Sequence, residues 1–350
     1  LFVPVSGPYG MGEYARSSAI ARAVQQRWTG ADIRFVLSSA APYAAQAPFP
    51  ATLLPSSPTF HSAAVIDLIR TWRPRVVIFD NAGRTAQLRA ARRSGAHVIY
   101  ISARQRQRRK AFRWRWMALI DEHWIAYPEF LAGKLGFLER FKLKVLRVPR
   151  VRYLDVIFSR AAPAAAMAAV LSRAGLEAQR FVLMVPGGGT GHRRALSATS
   201  QFLEAARELA ASGVVTAFVG PADSRAAESP VDSHLRHLGA LPQQDLVELM
   251  RHARLIVANG GSTLLQALAC GAACVAVPIA RDQALRIRRC VDLGVAVEAT
   301  LDARRIAAGA AALLGDERAR TQMAQRAAGL ELADGADVAV RALAKFIESA

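Results

Sequence analysis

Residues 258–283 read Ala-Asn-Gly-Gly-Ser-Thr-Leu-Leu-Gln-Ala-Leu-Ala-Cys-Gly-Ala-Ala-Cys-Val-Ala-Val-Pro-Ile-Ala-Arg-Asp-Gln, and no other stretch constrains the fold as tightly. An apolar run over 254–258 reads as a strand and meets the glycine pair Gly260-Gly261. Ser262 and Thr263 then open an apolar helix. A second strand over 273–277 stops at Pro278, shortly before Asp282 and Gln283. A turn of this kind is an anion site. The helix N-terminus presents N–H groups without intrahelical acceptors and a partial positive charge, and glycines let a phosphate approach the backbone.

The rest of the chain alternates in the same way. A short strand over 1–5 leads to the turn-rich loop 7–12 and a helix over 13–27 with apolar positions at Ala15, Ala19 and Ala23. Strands follow at 33–37, 76–79 (ending in Asp80) and 97–101, with helices at 61–72 and 85–93 between them. The last strands of this half are read at 124–126 and 145–148. After a linker within 150–163 the pattern restarts: strand 181–185, the loop Pro186-Gly187-Gly188-Gly189-Thr190-Gly191-His192, helix 196–211, strand 214–219 and helix 242–252. Strands alternating with helices predict parallel, doubly wound sheets. A chain of 350 residues suits two such domains. They are set at 1–155 and 163–335, with a C-terminal helix over 336–350.

Composition removes several classes. Apolar residues make up 52% of the chain, enough for two cores, yet the longest apolar stretch, 264–280, is broken by Gln266, Gly271 and Pro278. No run reaches the ~20 residues of a membrane-spanning helix. Cys270, Cys274 and Cys290 lack metal-ligand spacing and read as small buried hydrophobes in a reducing compartment. There is no Asp-x-Asp pair, so no carboxylate-held metal is expected. The charge is lopsided. Residues 1–150 carry 24 Lys and Arg against 8 Asp and Glu, whereas residues 151–350 carry 22 against 19. The first half is therefore expected to meet something anionic.

The glycine turns, their order and the Asp-Gln pair resemble the nucleotide-sugar half of GT-B glycosyltransferases, α/β proteins of two Rossmann-like domains facing across a cleft. The chain is most similar to the branch that holds the lipid-acting N-acetylglucosaminyltransferase of peptidoglycan synthesis and the UDP-sugar hydrolase of pseudaminic acid synthesis. The resemblance implies that Gly188, Gly189, Thr190 and His192 act with Gly260, Gly261, Ser262 and Thr263 to hold a donor diphosphate. It places Asp282 and Gln283 against donor sugar hydroxyls and the backbone around Leu241 against the base. Gln266 stands where the families usually have Glu on the ribose; its carbonyl accepts one hydrogen bond and brings no charge. Glu13 stands at the position of the usual His at the start of the first helix. It becomes a candidate general base if burial raises its pKa. Asp80, at the carboxyl end of a strand, is a second candidate base, and His192 a third. Each has a plainer alternative: a tight turn for the glycine loops, an N-cap for Asp282, favourable helix-end charge for Glu13.

The densest basic stretch, 104–116, interleaves Arg and Lys with Phe112, Trp114 and Trp116. It suits an anionic membrane surface or a phosphorylated, lipid-linked acceptor. A solvated helix face is the plain alternative, and nothing else in the chain matches a nucleic-acid fold. The expectation is a cytoplasmic, metal-independent glycosyltransferase, peripheral at most on the inner face of the membrane. It would take a nucleotide-diphospho-sugar, UDP-linked, as co-substrate with no other cofactor, and a hydroxyl acceptor, lipid-linked or a cell-envelope glycan. A nucleotide-sugar hydrolase or epimerase, and a non-catalytic GT-B partner subunit, are the rival readings.

Overall fold

The computed structural model describes residues 1–8, 11–157, 164–187, 193–220 and 233–348, without the side chains of 46, 164–167, 193–196 and 282. The chain divides into two compact units, Leu1–Ile157 with Ala333–Ala350, and Phe158–Leu332.

The first unit is built on strands β1 (Phe2–Pro4), β2 (Phe35–Ser38), β3 (Ala51–Leu54), β4 (Val76–Asp80), β5 (His97–Ser102), β6 (Glu122–Ile125) and β7 (Arg150–Tyr153). All pair in parallel, in the order β3-β2-β1-β4-β5-β6-β7. Its helices are α1 (Gly12–Arg27), α2 (Ser62–Trp72), α3 (Thr85–Arg93), α4 (Gln105–Ala111), α5 (Trp114–Met117), α6 (Glu129–Ala132) and α7 (Phe137–Leu146). The continuous apolar strands need cover on both faces. Side chains alternate along each strand, so Val3, Val77, Phe79, Val98 and Tyr100 pack under α2 and α3 through Val65, Ile69, Leu88 and Ala91. Phe2, Ile78, Ile99, Ile101 and Trp124 meet the opposite layer, Ile20 and Val24 of α1 with Leu343 and Phe346 near the chain's end.

The second unit carries β8 (Val182–Val185), β9 (Thr216–Phe218), β10 (Leu235–His237), β11 (Leu255–Asn259), β12 (Cys274–Val277) and β13 (Val297–Glu298). These are also parallel, in the order β10-β9-β8-β11-β12-β13. Around them lie α8 (Ala164–Ala174), α9 (Arg193–Ala211), α10 (Gln243–His252), α11 (Ser262–Ala269), α12 (Arg281–Asp292), α13 (Ala303–Gly315) and α14 (Glu317–Ala328). Val182, Met184, Val257 and Val275 form one core with Phe202 and Leu209 of α9 and Ile306 and Ala310 of α13. The final helix, α15 (Gly335–Ile347), belongs to the first unit. An isolated parallel bridge between Val156 and Asp334 and the Gly335 amide on the Val156 carbonyl at 2.8 Å guide it there.

Two local readings are corrected. Residues 145–148 are no strand. Val145 and Leu146 close α7, and the strand comes later, at Arg150–Tyr153. The stretch read as linker therefore holds the edge strand of the first sheet. Asp282 is not an N-cap: the helix begins at Arg281 after Ala280, so Asp282 stands inside its first turn.

Candidate functional site

In each sheet the strand order reverses between two central neighbours, β1 and β4 in the first unit, β8 and β11 in the second. At such a point the loops leaving the carboxyl ends of the two strands turn to opposite faces and open a crevice for ligands. Glu13 and Asp80 fall at the first, and Gly260, Gly261, Ser262 and Thr263 at the second.

In the second unit the crevice lies between the loop after β8 and the turn after β11. Gly188, Gly189, Thr190 and His192 lie outside the described residues. Their neighbour Gly187 has φ +92°, and a Cβ on it would stand 1.8 Å from Asn259 Nδ2, so the backbone there passes hard against that side chain. Asn259, the last residue of β11 and nearly buried, ties the two loops together. Its Nδ2 donates to the Pro186 carbonyl at 2.6 Å, and its Oδ1 accepts the Gly261 amide at 2.6 Å. Gly261 then serves as the N-cap of α11 without any side-chain cap. Ser262, first in the helix, is exposed, whereas Thr263 and Gln266 are buried. A Cβ on Gly260 would lie 2.7 Å from Ile287 and 3.0 Å from Gln283 Cβ, which shows how closely the turn rests on α12. Arg286 donates to the Gly260 carbonyl from the same helix. Gln283 turns its Oε1 to the Ile279 amide at 2.9 Å, bracing the loop after β12. Asp282 precedes it, but its side chain is outside the described residues. Leu241 lies half-buried between Gly239 (φ +65°) and Pro242, the N-cap of α10. The described part thus brings Gly260, Gly261, Ser262, Thr263 and Gln283 to one turn.

In the first unit the crevice lies between α1, which follows β1, and the end of β4. Asp80 is fully buried. Arg16 grips it with Nε at 2.9 Å and Nη2 at 2.6 Å, and Ser17 Oγ donates to it at 3.3 Å. Burial raises the Asp80 pKa to about 6, with Arg16 pulling the other way. The next residue, Asn81, adopts a left-handed backbone (φ +52°), a conformation asparagine tolerates better than most residues. Its Nδ2 donates to Glu13 Oε1 at 2.8 Å, and its Oδ1 accepts the Ala103 amide at 2.9 Å. Glu13, Arg16 and Ser17 occupy one face of the first turns of α1, so β4 orients that helix end through two consecutive residues. Glu13 and Asp80 are brought together, in different states: Glu13 half-buried on one amide, Asp80 sealed under a guanidinium.

Asn81 and Asn259 are the residues of the candidate sites that pattern reading passed over. Each ends or follows the apolar strand beside the reversal of its sheet, with glycine two residues on. That signal, an Asn closing a buried strand before a glycine turn, is present in the sequence in both halves.

The basic stretch 104–116 does not form one face. It breaks into α4 and α5. Arg108 is buried, bound to Glu139 and to the carbonyls of Ala132, Gly133 and Lys134, and Phe112 and Trp116 are core residues. Among the described residues no group of three or more His, Cys, Asp or Glu is placed to hold a metal ion. Among the same residues no helix is long and apolar enough to cross a membrane.

The family Glycosyl transferases group 1 matches residues 195–329, which include the turn after β11 and α11. No curated protein matches the sequence. Solved structures match along the whole chain. The calicheamicin glycosyltransferase CalG4 has a TM-score of 0.65 at 14% identity, covering 100% of this chain and 99% of its own. The spinosyn rhamnosyltransferase SpnG, complexed with thymidine diphosphate, has 0.62 at 18% identity, covering 99% of each. A Listeria monocytogenes protein described as a UDP-N-acetylglucosamine 2-epimerase has 0.61 at 14%, covering 100% and 96%. The fold is GT-B, the fold these glycosyltransferases and the epimerase share. The segment that matches the glycosyl transferases group 1 family lies in the second unit.

Proposed function

We propose that the chain is a glycosyltransferase that moves a sugar from a UDP-linked donor to a hydroxyl acceptor. The observation that carries this reading is the double hydrogen bond of Asn259, which sets the loop after β8 and the N-terminus of α11 side by side at the reversal of the second sheet. Backbone amides of those two turns and the helix dipole stabilise the diphosphate as it leaves, the step at which negative charge develops. In this reading Gly188, Gly189, Thr190 and His192 are assigned to the same diphosphate, Asp282 and Gln283 to the sugar, Gln266 to the ribose and Leu241 to the base. The acceptor oxygen bonds to the anomeric carbon, the bond from that carbon to the diphosphate breaks, and Glu13 takes the hydroxyl proton. Asp80 acts through Arg16 as a positioning residue, because both its oxygens are engaged and none of it is exposed. No metal is required in this scheme, since amides and dipole supply the compensation, and the acceptor is anionic or lipid-linked, as the basic first half favours.

The test is a thermal-shift titration with UDP and TDP followed by product analysis. UDP at about 100 times its dissociation constant should stabilise the fold by about 2.7 kcal/mol. No shift with either nucleotide overturns the donor assignment. The epimerase or hydrolase reading draws support from the Listeria monocytogenes neighbour. It predicts an epimerised nucleotide sugar or free sugar from donor and water alone, where the transferase needs an acceptor.

A further inference from the structure

Helix α7 is built with its polar side inward. Glu139 receives Arg108 at 3.1 and 2.7 Å and the Gly136 amide at 2.9 Å, and Lys142 donates to the Phe112 carbonyl at 3.0 Å. These bonds hold the helix to the unit. Four of its apolar residues point the other way, Phe137 76% exposed, Leu138 67%, Phe141 52% and Val145 56%, while Leu143 and Leu146 are half-buried on the side of Glu139. At 100° per residue these four fall within one arc of about 100°, a continuous stripe. A soluble helix ordinarily buries such a stripe; here it faces outward. Exposed Arg140 and Lys144 border it on one side, and Lys142 on the other, its Nζ 5.6 Å from the ring of Trp114. Trp114 itself is 45% exposed between exposed Arg113 and Arg115. Across residues 134–150 six basic side chains stand against one acid, Glu139, which is turned inward.

We propose that α7, with Trp114 beside it, docks flat into the surface of an anionic lipid bilayer. The apolar stripe enters the headgroup boundary, Trp114 sits at that level, and the flanking bases meet lipid phosphates. The observation favouring lipid is charge complementarity. A ring of one sign around an apolar line with no acid on the outward side matches an anionic sheet of apolar depth. The inference goes beyond the donor chemistry and does not depend on it.

The experiment is co-sedimentation of the full chain with vesicles of phosphatidylcholine alone or mixed with phosphatidylglycerol. Binding is expected only to the mixed vesicles and should weaken with salt. F137S combined with F141S should lower partitioning by roughly tenfold or more per phenylalanine. R140Q and K144Q should each lower it about fivefold. These side chains are exposed, so melting temperature and UDP binding should stay at wild-type values, which separates this test from that of the donor site. If the serine variant melts low, the R140Q/K144Q pair decides. Equal binding to neutral and anionic vesicles, or unchanged partitioning in the variants, overturns the proposal. So does a solution dimer that F137S/F141S splits while the wild type ignores vesicles, because a second copy then covers the stripe.

Discussion

The side-chain carbonyl of Asn259 accepts the amide of Gly261 while its amide nitrogen reaches the carbonyl of Pro186, both at 2.6 Å. One buried side chain therefore sets the spacing of two loops that belong to different strands. Asn259→Ala removes both bonds and leaves a shielded carbonyl and amide without partners. The expected loss is about 1–3 kcal/mol of stability, accompanied by at least a tenfold weaker UDP complex. Chemical denaturation and calorimetric titration read the two effects. Retained UDP affinity in a folded Asn259→Ala protein would sever the link between this spacing and the donor.

Ser262 permits a cleaner separation. It is exposed at the first position of α11, where a carboxylate favours the helix by roughly 0.3–1 kcal/mol. The same charge repels a diphosphate bound at that helix end. Ser262→Asp should thus melt at or slightly above the wild-type temperature and yet lose UDP binding. Simultaneous loss of both would indicate a damaged fold, and loss of neither would place the diphosphate elsewhere.

Glu13 holds its place through Asn81, whose left-handed backbone puts its amide within 2.8 Å of the carboxylate. Glu13→Gln keeps an oxygen for that bond and removes the base. The expected change is a fall in kcat of about 10²–10⁴ with KM nearly unchanged. Asn81→Gly should preserve the backbone and release Glu13, giving a smaller loss of kcat that adds nothing once Glu13→Gln is present. Steady-state kinetics on the single and double variants test both statements. A Glu13→Gln enzyme of wild-type kcat would exclude Glu13 as the base.

Much of this architecture was legible because its strands are continuous apolar runs punctuated by glycine. β4, β5, β8, β11 and β12 fall close to where alternation put them. The turn at Gly260 and Gly261, with Ser262 opening α11, was readable for the same local reason. What escaped was non-local. α7 hides in the sequence because an ion pair anchors its inward side and a row of apolar residues faces outside, so residues 145–148 imitate a strand. The burial of Arg108 depends on carbonyls 24–26 residues away. Asp80 looked like a free acid at a strand end, since its partner Arg16 is 64 residues earlier. The roles of Asn81 and Asn259 likewise exist only once strands distant in sequence lie adjacent.

That hidden partnership gives Asp80 a pH signature of definite sign. Its pKa rises from an ordinary 3.8 to about 6 through burial, which outweighs the pull of Arg16. Between about pH 4 and pH 6 the folded chain therefore keeps a proton that the unfolded chain has released. Where the folded state binds more protons, stability falls as pH rises. The contribution of Asp80 is complete below about pH 4, declines through the window and is level above about 6. Asp80→Asn has no such proton and leaves the largely buried Arg16 without its counter-charge, so it should be less stable than wild type throughout. The gap between the two proteins should narrow by up to about 3 kcal/mol from pH 4 to pH 6. Activity runs the other way, because the Arg16–Asp80 pair that orients α1 is fully ionised only above about pH 6. Wild-type kcat should rise across the same interval in which the stability gap shrinks, and the Asp80→Asn profile should lack that step. Denaturation curves and pH–rate profiles of the two proteins measure this, and a gap that widens with pH would refute the assigned direction.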